Sequence, residues 1–376
     1  GVADELAQAT AKALRVQGED AAVVPLGSLT VEDLRAYRRV LFVASTTGEG
    51  EAPDIAYKFQ RKEMAQTAHL DGLEVAVLAL GDRTYANFCG FGRRLDEWLG
   101  ASGAKRLFAR IEVDAGDPAA IARWGKAVAG RKAEAFLSPP THAPWRLAER
   151  RRLNPNGKGD PVFLIALEPK SDVDGWRAGD VIEIEREVKG AVHHREYSIA
   201  SLPADGRLEL VVREHRREDG TVGLMSGWLT GSARIGAAVN LRVRSNKSFH
   251  PLQGRPRVLI GAGTGIAGLR AHFKAPGGPA WLLFGERTRA GDYLLGEEID
   301  AALAGGALER LDLAFSRDEG GGYVQDVLRR EASELRAWVD RGAALFVCGS
   351  LVGMGAGVHD ALSEILGPDR LRKLTE

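Results

Sequence analysis

The sequence contains little cysteine and no long apolar stretch. Its 376 residues include two cysteines, Cys89 and Cys348, and three methionines. Two cysteines so far apart lack the spacing of a disulfide framework or a metal site, so no metal is predicted. No run approaches the ~18 apolar residues that a membrane-spanning helix needs, and no signal peptide is recognisable. These absences predict a cytoplasmic protein with no membrane segment in the chain itself.

The charge also lacks a dominant sign. Lysine plus arginine and aspartate plus glutamate each number 51, so the formal net charge is zero. A balanced charge gives no indication of binding to nucleic acid or to a membrane surface. Basic residues cluster at 149–152 and 213–217, where we predict solvated surface charge. The length is too great for one ordinary core and indicates two or three domains.

The first third of the chain alternates two patterns. Buried-strand patterns at Val40–Ala44 and Val75–Leu80 are interspersed with helical patterns at Val2–Leu14 and Arg93–Leu99. Continuous apolar strands alternating with helices predict a doubly wound parallel sheet over residues 1–137. Residues 138–160 are predicted to be a linker, because three prolines within six residues interrupt helices and central strands.

The rest of the chain reads as two further domains. Over residues 161–253, short strands separated by turn residues predict a small antiparallel β-barrel. Residues 254–376 return to strand–helix alternation, which predicts a second parallel α/β domain. The fold class is therefore α/β together with β. The strands predicted in these two domains are Val162–Leu167, Val181–Ile184, Tyr197–Ala200, Leu208–Val212, Val239–Val243, Val258–Ile260, Trp281–Phe284, Leu311–Phe315 and Leu345–Cys348.

Two short strings carry the main functional signal. Arg195, Tyr197 and Ser198 place a guanidinium, an aromatic ring and a hydroxyl on one extended run. That set suits a flavin, with a cation for the pyrophosphate, a ring to stack and a hydroxyl near the redox nitrogen. The second string, Gly261–Gly268, follows an apolar strand and opens a helix. Its glycines let backbone N–H groups approach a phosphate at the positive end of that helix.

In this order, the two strings resemble the ferredoxin–NADP reductase family, in which FAD and a nicotinamide meet between two domains. The resemblance implies Arg195 on the FAD pyrophosphate, Tyr197 against the flavin and Ser198 near the hydride-accepting nitrogen. Residues 223–226 resemble the second FAD phosphate contact of that family, a helix N-terminus capped by serine or threonine. The implied FAD-binding residues are Arg195, Tyr197, Ser198, Ile199, Ala200, Ser201, Gly223, Leu224, Met225 and Ser226.

The resemblance also implies NADPH as the electron donor. Ser316 and Arg317 could hold a 2′-phosphate, and Tyr323 could stack on adenine. Glu286 supports a different reading, because a plain Rossmann site would use an acidic residue at that place for the ribose of NAD. The implied NADPH-binding residues are Gly263, Thr264, Gly265, Arg287, Ser316, Arg317, Tyr323 and Gln325. Cys348 is implied beside the reacting nicotinamide, so Ser198 and Cys348 are the candidate catalytic residues.

Two loops of the first domain form a further candidate site. Residues 45–50 and 81–89 each follow a predicted strand, and open α/β sheets bind ligands at the carboxyl ends of their strands. The loops resemble the flavodoxin-like module of diflavin reductases, where they hold the ring of FMN. The implied FMN-binding residues are Ser45, Thr46, Thr47, Gly48, Gly50, Tyr85, Asn87, Phe88 and Cys89.

A flavodoxin-like module ordinarily begins with a strand and a phosphate-binding loop. This sequence begins at Gly1 with what resembles the last glycine of that loop and the helix after it. We therefore expect the native polypeptide to extend upstream, or the module to be a degenerate scaffold. An interior strand is missing in either case, and FMN would lose the cradle for its phosphate.

Together, the modules resemble a compact diflavin reductase of the sulfite reductase type, without the connecting domain that many members insert in the barrel. The resemblance implies electron flow from NADPH through FAD and FMN to a one-electron acceptor protein, either a sulfite reductase-type heme protein or an iron–sulfur protein. Two alternatives stay open. One is the soluble part of a membrane-anchored ferric-chelate (siderophore) reductase, and the other is an FAD-only reductase with a degenerate docking module.

Overall fold

The computed structural model describes residues 1–47, 50–83, 87–130, 142–170, 175–216, 219–350 and 354–375. The chain forms two compact units, Gly1–Thr141 and His142–Glu376. Gly48 and Tyr85, two of the predicted FMN-binding residues, lie outside the described residues. Among the described residues, none of the helices combines the length and the apolar character needed to cross a membrane.

The first unit is built on a parallel sheet, as predicted. Its central strand is β2, which pairs with β1 on one side and with β3 and β4 on the other. The strands are β1 Arg39–Ser45, β2 Glu74–Gly81, β3 Lys105–Arg106 and β4 Ile111–Asp114. The helices are α1 Val2–Val16, α2 Val31–Ala36, α3 Asp54–Lys62, α4 Gly90–Ala101 and α5 Pro118–Ala129.

Burial along β2 explains its continuous apolar sequence. Val75, Val77 and Ala79 pack into one hydrophobic cluster, whereas Ala76 and Leu78 pack into another. Successive side chains of a strand point to opposite faces, so both faces of this sheet are covered. By contrast, the edge of β1 opposite β2 has no strand partner within the described part of the chain.

The second unit begins with a six-stranded antiparallel sheet in the order β8-β7-β10-β5-β6-β9. Its strands are β5 Ala143–Arg152, β6 Val162–Pro169, β7 Val181–Val188, β8 Ala191–Ser198, β9 Leu208–Arg213 and β10 Ala238–Arg244. The two end strands of this order come together, because the N–H of Ala200 donates to the carbonyl of Glu209 at 2.7 Å. The predicted antiparallel barrel is therefore present.

The predicted linker is wrong over its central part. Ala143–Arg152 is a ten-residue strand that pairs with both β6 and β10. Pro144 is tolerated because it is the second residue of the strand, near its beginning. Trp145 and Leu147 point into the barrel core, while a register shift between Leu147 and Glu149 breaks the alternation that would have revealed the strand.

Strands β7 and β8 form a hairpin with a two-residue turn. Val188 pairs with Ala191, and the turn residues Lys189 and Gly190 have φ of +52° and +80°. Positive φ at both positions matches the twist of the flanking strands and favours glycine. The hairpin places the predicted flavin-binding string directly beside β7.

The remainder of the second unit is a parallel sheet in the order β13-β12-β11-β14. Its strands are β11 Arg257–Ala262, β12 Ala280–Glu286, β13 Arg310–Phe315 and β14 Ala344–Cys348. Its helices are α6 Ile266–Lys274, α7 Arg289–Asp292, α8 Gly296–Ala304, α9 Val324–Arg330, α10 Ala332–Asp340, α11 Ala356–Leu366 and α12 Pro368–Thr375. Each strand predicted for this region is present.

A buried arginine joins this parallel sheet to the barrel. The guanidinium of Arg270, in α6, donates to Glu209 at 2.5 Å, to the carbonyl of Ala200 at 2.9 Å and to Glu298 at 2.7 Å. The side chains of Arg270 and Glu209 are only 7% and 6% exposed. Since a buried charge is tolerated only when it is paired, these contacts fix α6 against β9.

We expect Arg270→Met to lower the free energy of unfolding by about 3 kcal/mol, the lower end of the range for a broken buried ion pair, because Glu209 loses its buried partner and keeps only the partly exposed Arg207. The matched control is Lys274→Met on the same helix, whose ion pair with Asp205 is partly exposed and is worth about 0–1 kcal/mol. Urea denaturation followed by tryptophan fluorescence measures both changes. Equal losses in the two variants would contradict the assigned role of Arg270.

Candidate functional site

The ends of β8 and β14 meet the first turn of α6. Cys348 ends β14, Ser198 ends β8, and Gly268 lies between them in α6. A Cβ placed on Gly268 would be 3.3 Å from the Cys348 sulfur and 3.7 Å from the Ser198 Cβ. The backbone of the glycine-rich turn therefore packs directly on the two residues predicted to be catalytic.

The environment of Cys348 keeps its thiol protonated. Burial raises the pKa of Cys348, although the backbone of Gly268 and the hydroxyl of Ser198 lower it to a smaller extent through hydrogen bonds. A thiol is a poor nucleophile when its pKa is raised. The group is thus suited to hydrogen bonding and positioning rather than to covalent catalysis.

Close packing also explains the glycines of the preceding turn. A Cβ on Gly265 would lie 2.0 Å from the carbonyl oxygen of Cys348, so a larger residue cannot fit there. Gly263 has φ of +60°, a conformation that favours glycine. The turn runs as a short 3-10 helix from Gly263 to Gly265 into α6. Its backbone N–H groups lie at the positive end of that helix, which is a suitable place for a phosphate.

The predicted flavin-binding string, residues 195–201, has an accessible part on β8 and a buried part just after that strand. Arg195 is exposed, and its guanidinium donates to the adjacent carbonyl of His194 at 3.1 Å. Tyr197 and Ser198 are half-buried. Burial raises the pKa of Tyr197 to about 12, and Arg195 opposes that shift. These three side chains are therefore accessible from the surface, and their contact with a flavin stays a prediction.

Ile199, Ala200 and Ser201 differ from the prediction, because they are completely buried. The Ser201 hydroxyl accepts the N–H of Glu209 at 2.9 Å, and the Ser201 carbonyl accepts the Trp176 indole N–H. These polar groups join the two ends of the barrel. Their side chains therefore serve the fold rather than contacting a cofactor.

The segment 223–226 also departs from the expected cap. The Ser226 hydroxyl accepts the N–H of His215 at 3.2 Å, whereas the following helical turn, Trp228–Ser232, has no side-chain cap. Leu224 is exposed and Met225 is buried in the barrel core. The N–H of Gly223 also donates to the carbonyl of His215. Ser226 and Gly223 therefore both bond to the backbone of His215 and close the loop between them.

Arg186 was not predicted to belong to this site. Its guanidinium donates to the carbonyl of Leu224 at 2.7 Å and lies 4.8 Å from the centre of the Trp228 ring. Together with Gly223 and Val222, these residues line a concave surface next to β7. The only sequence signal for Arg186 was its position on the strand that forms a hairpin with Arg195.

The predicted nucleotide residues gather at the ends of β12 and β13. The N–H of Ser316 donates to the carbonyl of Glu286, and the N–H of Arg317 donates to the carbonyl of Arg287. Arg317 and Tyr323 are exposed, and Arg287 is half-buried. A further arginine that sequence reasoning missed, Arg289, places its guanidinium 4.8 Å from the ring centre of Phe315. Thr264 and Gln325 are half-buried.

Glu286 is held by an ion pair inside the second unit. One carboxylate oxygen accepts from Arg213 at 2.9 Å, and the other accepts the N–H of Arg287 at 3.0 Å. Burial raises the pKa of Glu286, and Arg213 opposes that shift. With both oxygens engaged, the carboxylate has less capacity to bind a ribose hydroxyl. The pair also shows that Arg213 is not the solvated surface charge that was predicted.

In the first unit, the two predicted FMN loops lie side by side. A Cβ on Gly50 would be 2.7 Å from the Asn87 Cβ, and Arg94 donates to the carbonyl of Gly50 at 2.7 Å. Ser45 ends β1 and Thr46 directly follows it, while Thr47 is exposed. The Thr46 hydroxyl oxygen is buried without a hydrogen-bond partner. An unpaired buried hydroxyl is costly unless a ligand satisfies it.

Phe88 and Cys89 were predicted to bind FMN, but their side chains do not face this site. Both are buried in the hydrophobic cluster under α4. The Cys89 thiol donates to the carbonyl of Ala79 at 3.2 Å, and burial raises its pKa to about 11. Cys89 has φ of +54°, which turns its side chain toward the sheet. These two residues support the loop from below and leave the ligand contacts to their neighbours.

Comparisons with known proteins agree with this arrangement. Residues 1–124 match the family model described as flavodoxin. The chain is 31% identical to the sulfite reductase (NADPH) flavoprotein alpha-component of Thiocapsa roseopersicina, over 93% of this chain and 78% of that protein. It is 26% identical to the proteins of the same name from Vibrio cholerae and from Neisseria meningitidis serogroup C, over 97% of this chain and 81% and 83% of those proteins.

These relatives contain segments that this chain lacks. The alignments to the Thiocapsa and Vibrio proteins extend over 412 and 500 positions, whereas this chain has 376 residues. The direct hairpin between β7 and β8 shows that nothing is inserted at that point of the barrel in this chain.

Proposed function

This chain belongs to the diflavin reductase family that includes the sulfite reductase flavoproteins, and we propose that it passes electrons from NADPH to a heme protein of the sulfite reductase type. It is an NADPH-dependent oxidoreductase with FAD, FMN and NADPH as cofactors. The cytoplasmic location inferred from the sequence belongs to the same proposal. When bound, FAD accepts two electrons as a hydride, and FMN allows them to leave one at a time.

The observation that carries the proposal is the meeting of Ser198, Gly268 and Cys348. Ser198 comes from the barrel strand β8, Gly268 from helix α6 and Cys348 from strand β14 of the parallel sheet. A flavin ring over Tyr197 and a nicotinamide over the glycine-rich turn would place their reacting atoms beside these two side chains. Ser198 and Cys348 would then orient the two rings, while the Ser198 hydroxyl and the Cys348 thiol keep their own protons.

The described residues fit the three cofactors. The exposed guanidinium of Arg195 suits the FAD pyrophosphate, and those of Arg287 and Arg317 suit the phosphates of NADPH. The unpartnered hydroxyl of Thr46 lies in the loop expected to hold FMN, which favours a ligand there over a degenerate docking module. Glu286, the residue that a plain NAD site would use to bind the ribose, is already paired with Arg213. This pairing favours NADPH over NADH.

We expect Cys348→Ala to slow the reduction of bound FAD by NADPH about tenfold or more, because misplacement of reacting groups is costly. Anaerobic stopped-flow absorbance of the holoenzyme measures this rate. FAD content serves as the control and should not fall, since Cys348 is placed on the nicotinamide side. An unchanged rate with Cys348→Ala would contradict the proposed hydride-transfer site.

We expect Arg195→Ala to weaken FAD binding by roughly 1.5–3 kcal/mol, the worth of a charged hydrogen bond. Equilibrium dialysis with quantification of released flavin measures the affinity. The matched control is Arg152→Ala, which removes an exposed arginine from the end of β5 in the same sheet. Full FAD occupancy in Arg195→Ala at low flavin concentration would exclude Arg195 as the pyrophosphate ligand.

We expect Arg317→Ala to weaken the binding of NADPH by about 1–3 kcal/mol, seen as a higher KM, with almost no effect on NADH, because only NADPH carries the 2′-phosphate. Steady-state reduction of ferricyanide with each nucleotide gives the comparison within one variant. Similar losses with both nucleotides would instead support the Rossmann reading, in which Glu286 binds the ribose.

A further inference from the structure

The outer face of the barrel carries a polar cluster that the electron-transfer reaction does not use. On β7 and β8, Glu183, Glu185 and His194 share one face, because Glu185 pairs with His194 across the hairpin. The opposite face, with Ile182 and Ile184, packs into the barrel core. The cluster is thus separated from the barrel interior by the sheet itself.

Two histidines from distant parts of the sequence meet in this cluster. His142 precedes β5 and is only 6% exposed in its side chain, and its ring centre lies 5.5 Å from that of His194. His142, Glu185 and His194 can each offer one ligand atom, and these atoms all lie within 4.8 Å of one another. Tetrahedral zinc holds nitrogen and oxygen ligands at about 2.0–2.2 Å, which separates them by about 3.4 Å.

The hydrogen bonds of His142 leave one of its nitrogens directed at Glu185. Its Nε2 lies 3.0 Å from a Glu183 oxygen, while its Nδ1 lies 3.3 Å from Glu185. Arg242 holds the same Glu183 oxygen at 2.8 Å. A histidine that donates one N–H to a fixed carboxylate presents the lone pair of its other nitrogen, as metal-binding histidines usually do.

His194 provides an independent observation. Its Nδ1 is buried and has no hydrogen-bond partner, and a Glu183 oxygen lies 3.8 Å away, beyond hydrogen-bond distance. A buried ring nitrogen without a partner is costly in a polar cluster. A bound cation would satisfy it together with His142 and Glu185.

We propose that His142, Glu185 and His194 form a site for a divalent transition-metal ion of the zinc type. Two imidazoles and one carboxylate match the ligand preference of Zn²⁺, with a water completing the fourth position. Glu183 orients His142 from behind, and Arg242 neutralises Glu183, so the charge facing the ion comes from Glu185. The site is separate from the residues proposed to bind FAD, FMN and NADPH.

The position of this site defines what a bound metal would do to the fold. Strand β8 lies at one end of the strand order, and its hydrogen-bonded neighbour is β7. A metal bound by His194, Glu185 and His142 would tie β8 to β7 and to the residue preceding β5. It would stabilise the folded state in proportion to its concentration over its dissociation constant, because the unfolded chain lacks the assembled ligands.

The test is calorimetric titration of Zn²⁺ into the full chain after removal of metals with a chelator. We expect one site per chain, and we expect His194→Ala and Glu185→Gln each to raise the dissociation constant about tenfold or more. Co²⁺ should give the visible absorption of a tetrahedral complex in the wild type only. The matched control is His193→Ala, which removes the neighbouring histidine from the opposite face of β8 and should leave the affinity unchanged.

Thermal unfolding with and without Zn²⁺ separates metal binding from simple loss of folding. The wild type and His193→Ala should gain the same Tm on addition of Zn²⁺, whereas folded His194→Ala should gain clearly less at the same Zn²⁺ concentration. Absence of Zn²⁺ binding by the wild type would overturn the proposal. Wild-type affinity in His194→Ala and Glu185→Gln, or loss of binding in His193→Ala, would also overturn it. None of these readouts depends on electron transfer.

Discussion

The buried contact between Arg270 and Glu209 holds the functional part of the molecule together. The arginine belongs to α6, the helix that follows the glycine-rich turn, and the glutamate belongs to β9, at one end of the strand order of the barrel. The same guanidinium binds the carbonyl of Ala200, just beyond the flavin-binding string. One charge therefore sets the distance between the part expected to bind FAD and the part expected to bind the nicotinamide, to which hydride transfer is highly sensitive.

A second set of contacts closes the barrel at the same place. Ala200 and Ser201, just after β8, form hydrogen bonds with the backbone of Glu209 on β9. The side chain of the same glutamate binds Arg270 of α6. Buried polar groups that are fully satisfied specify a single arrangement. The geometry of the site thus depends on buried residues outside the proposed cofactor contacts. Ala200 and Ser201 directly follow the accessible residues of the string, so the sequence alone could not separate the two roles.

Periodicity and motif order were sufficient to predict the fold class and most of the strands, and the structure brings the two predicted catalytic residues, Ser198 and Cys348, together at Gly268. Periodicity and motif order failed where long-range contacts decide the role of a residue. Arg150 was predicted to be surface charge, but its guanidinium binds the carbonyls of Leu229 and Gly231 at the end of a helical turn. The cluster of His142 and His194 was invisible for the same reason, because its ligands come from separate strands and have no common spacing.

The short turn at Lys189 and Gly190 has a consequence for the order in which the molecule assembles. A hairpin with a two-residue connection closes in about 1–10 μs, because little chain entropy is lost. Pairing of β5 with β10 joins segments that are far apart in sequence and must come later. The strand that carries Arg195, Tyr197 and Ser198 is thus among the first parts of the barrel to find its partner, before the pocket that will use these residues exists.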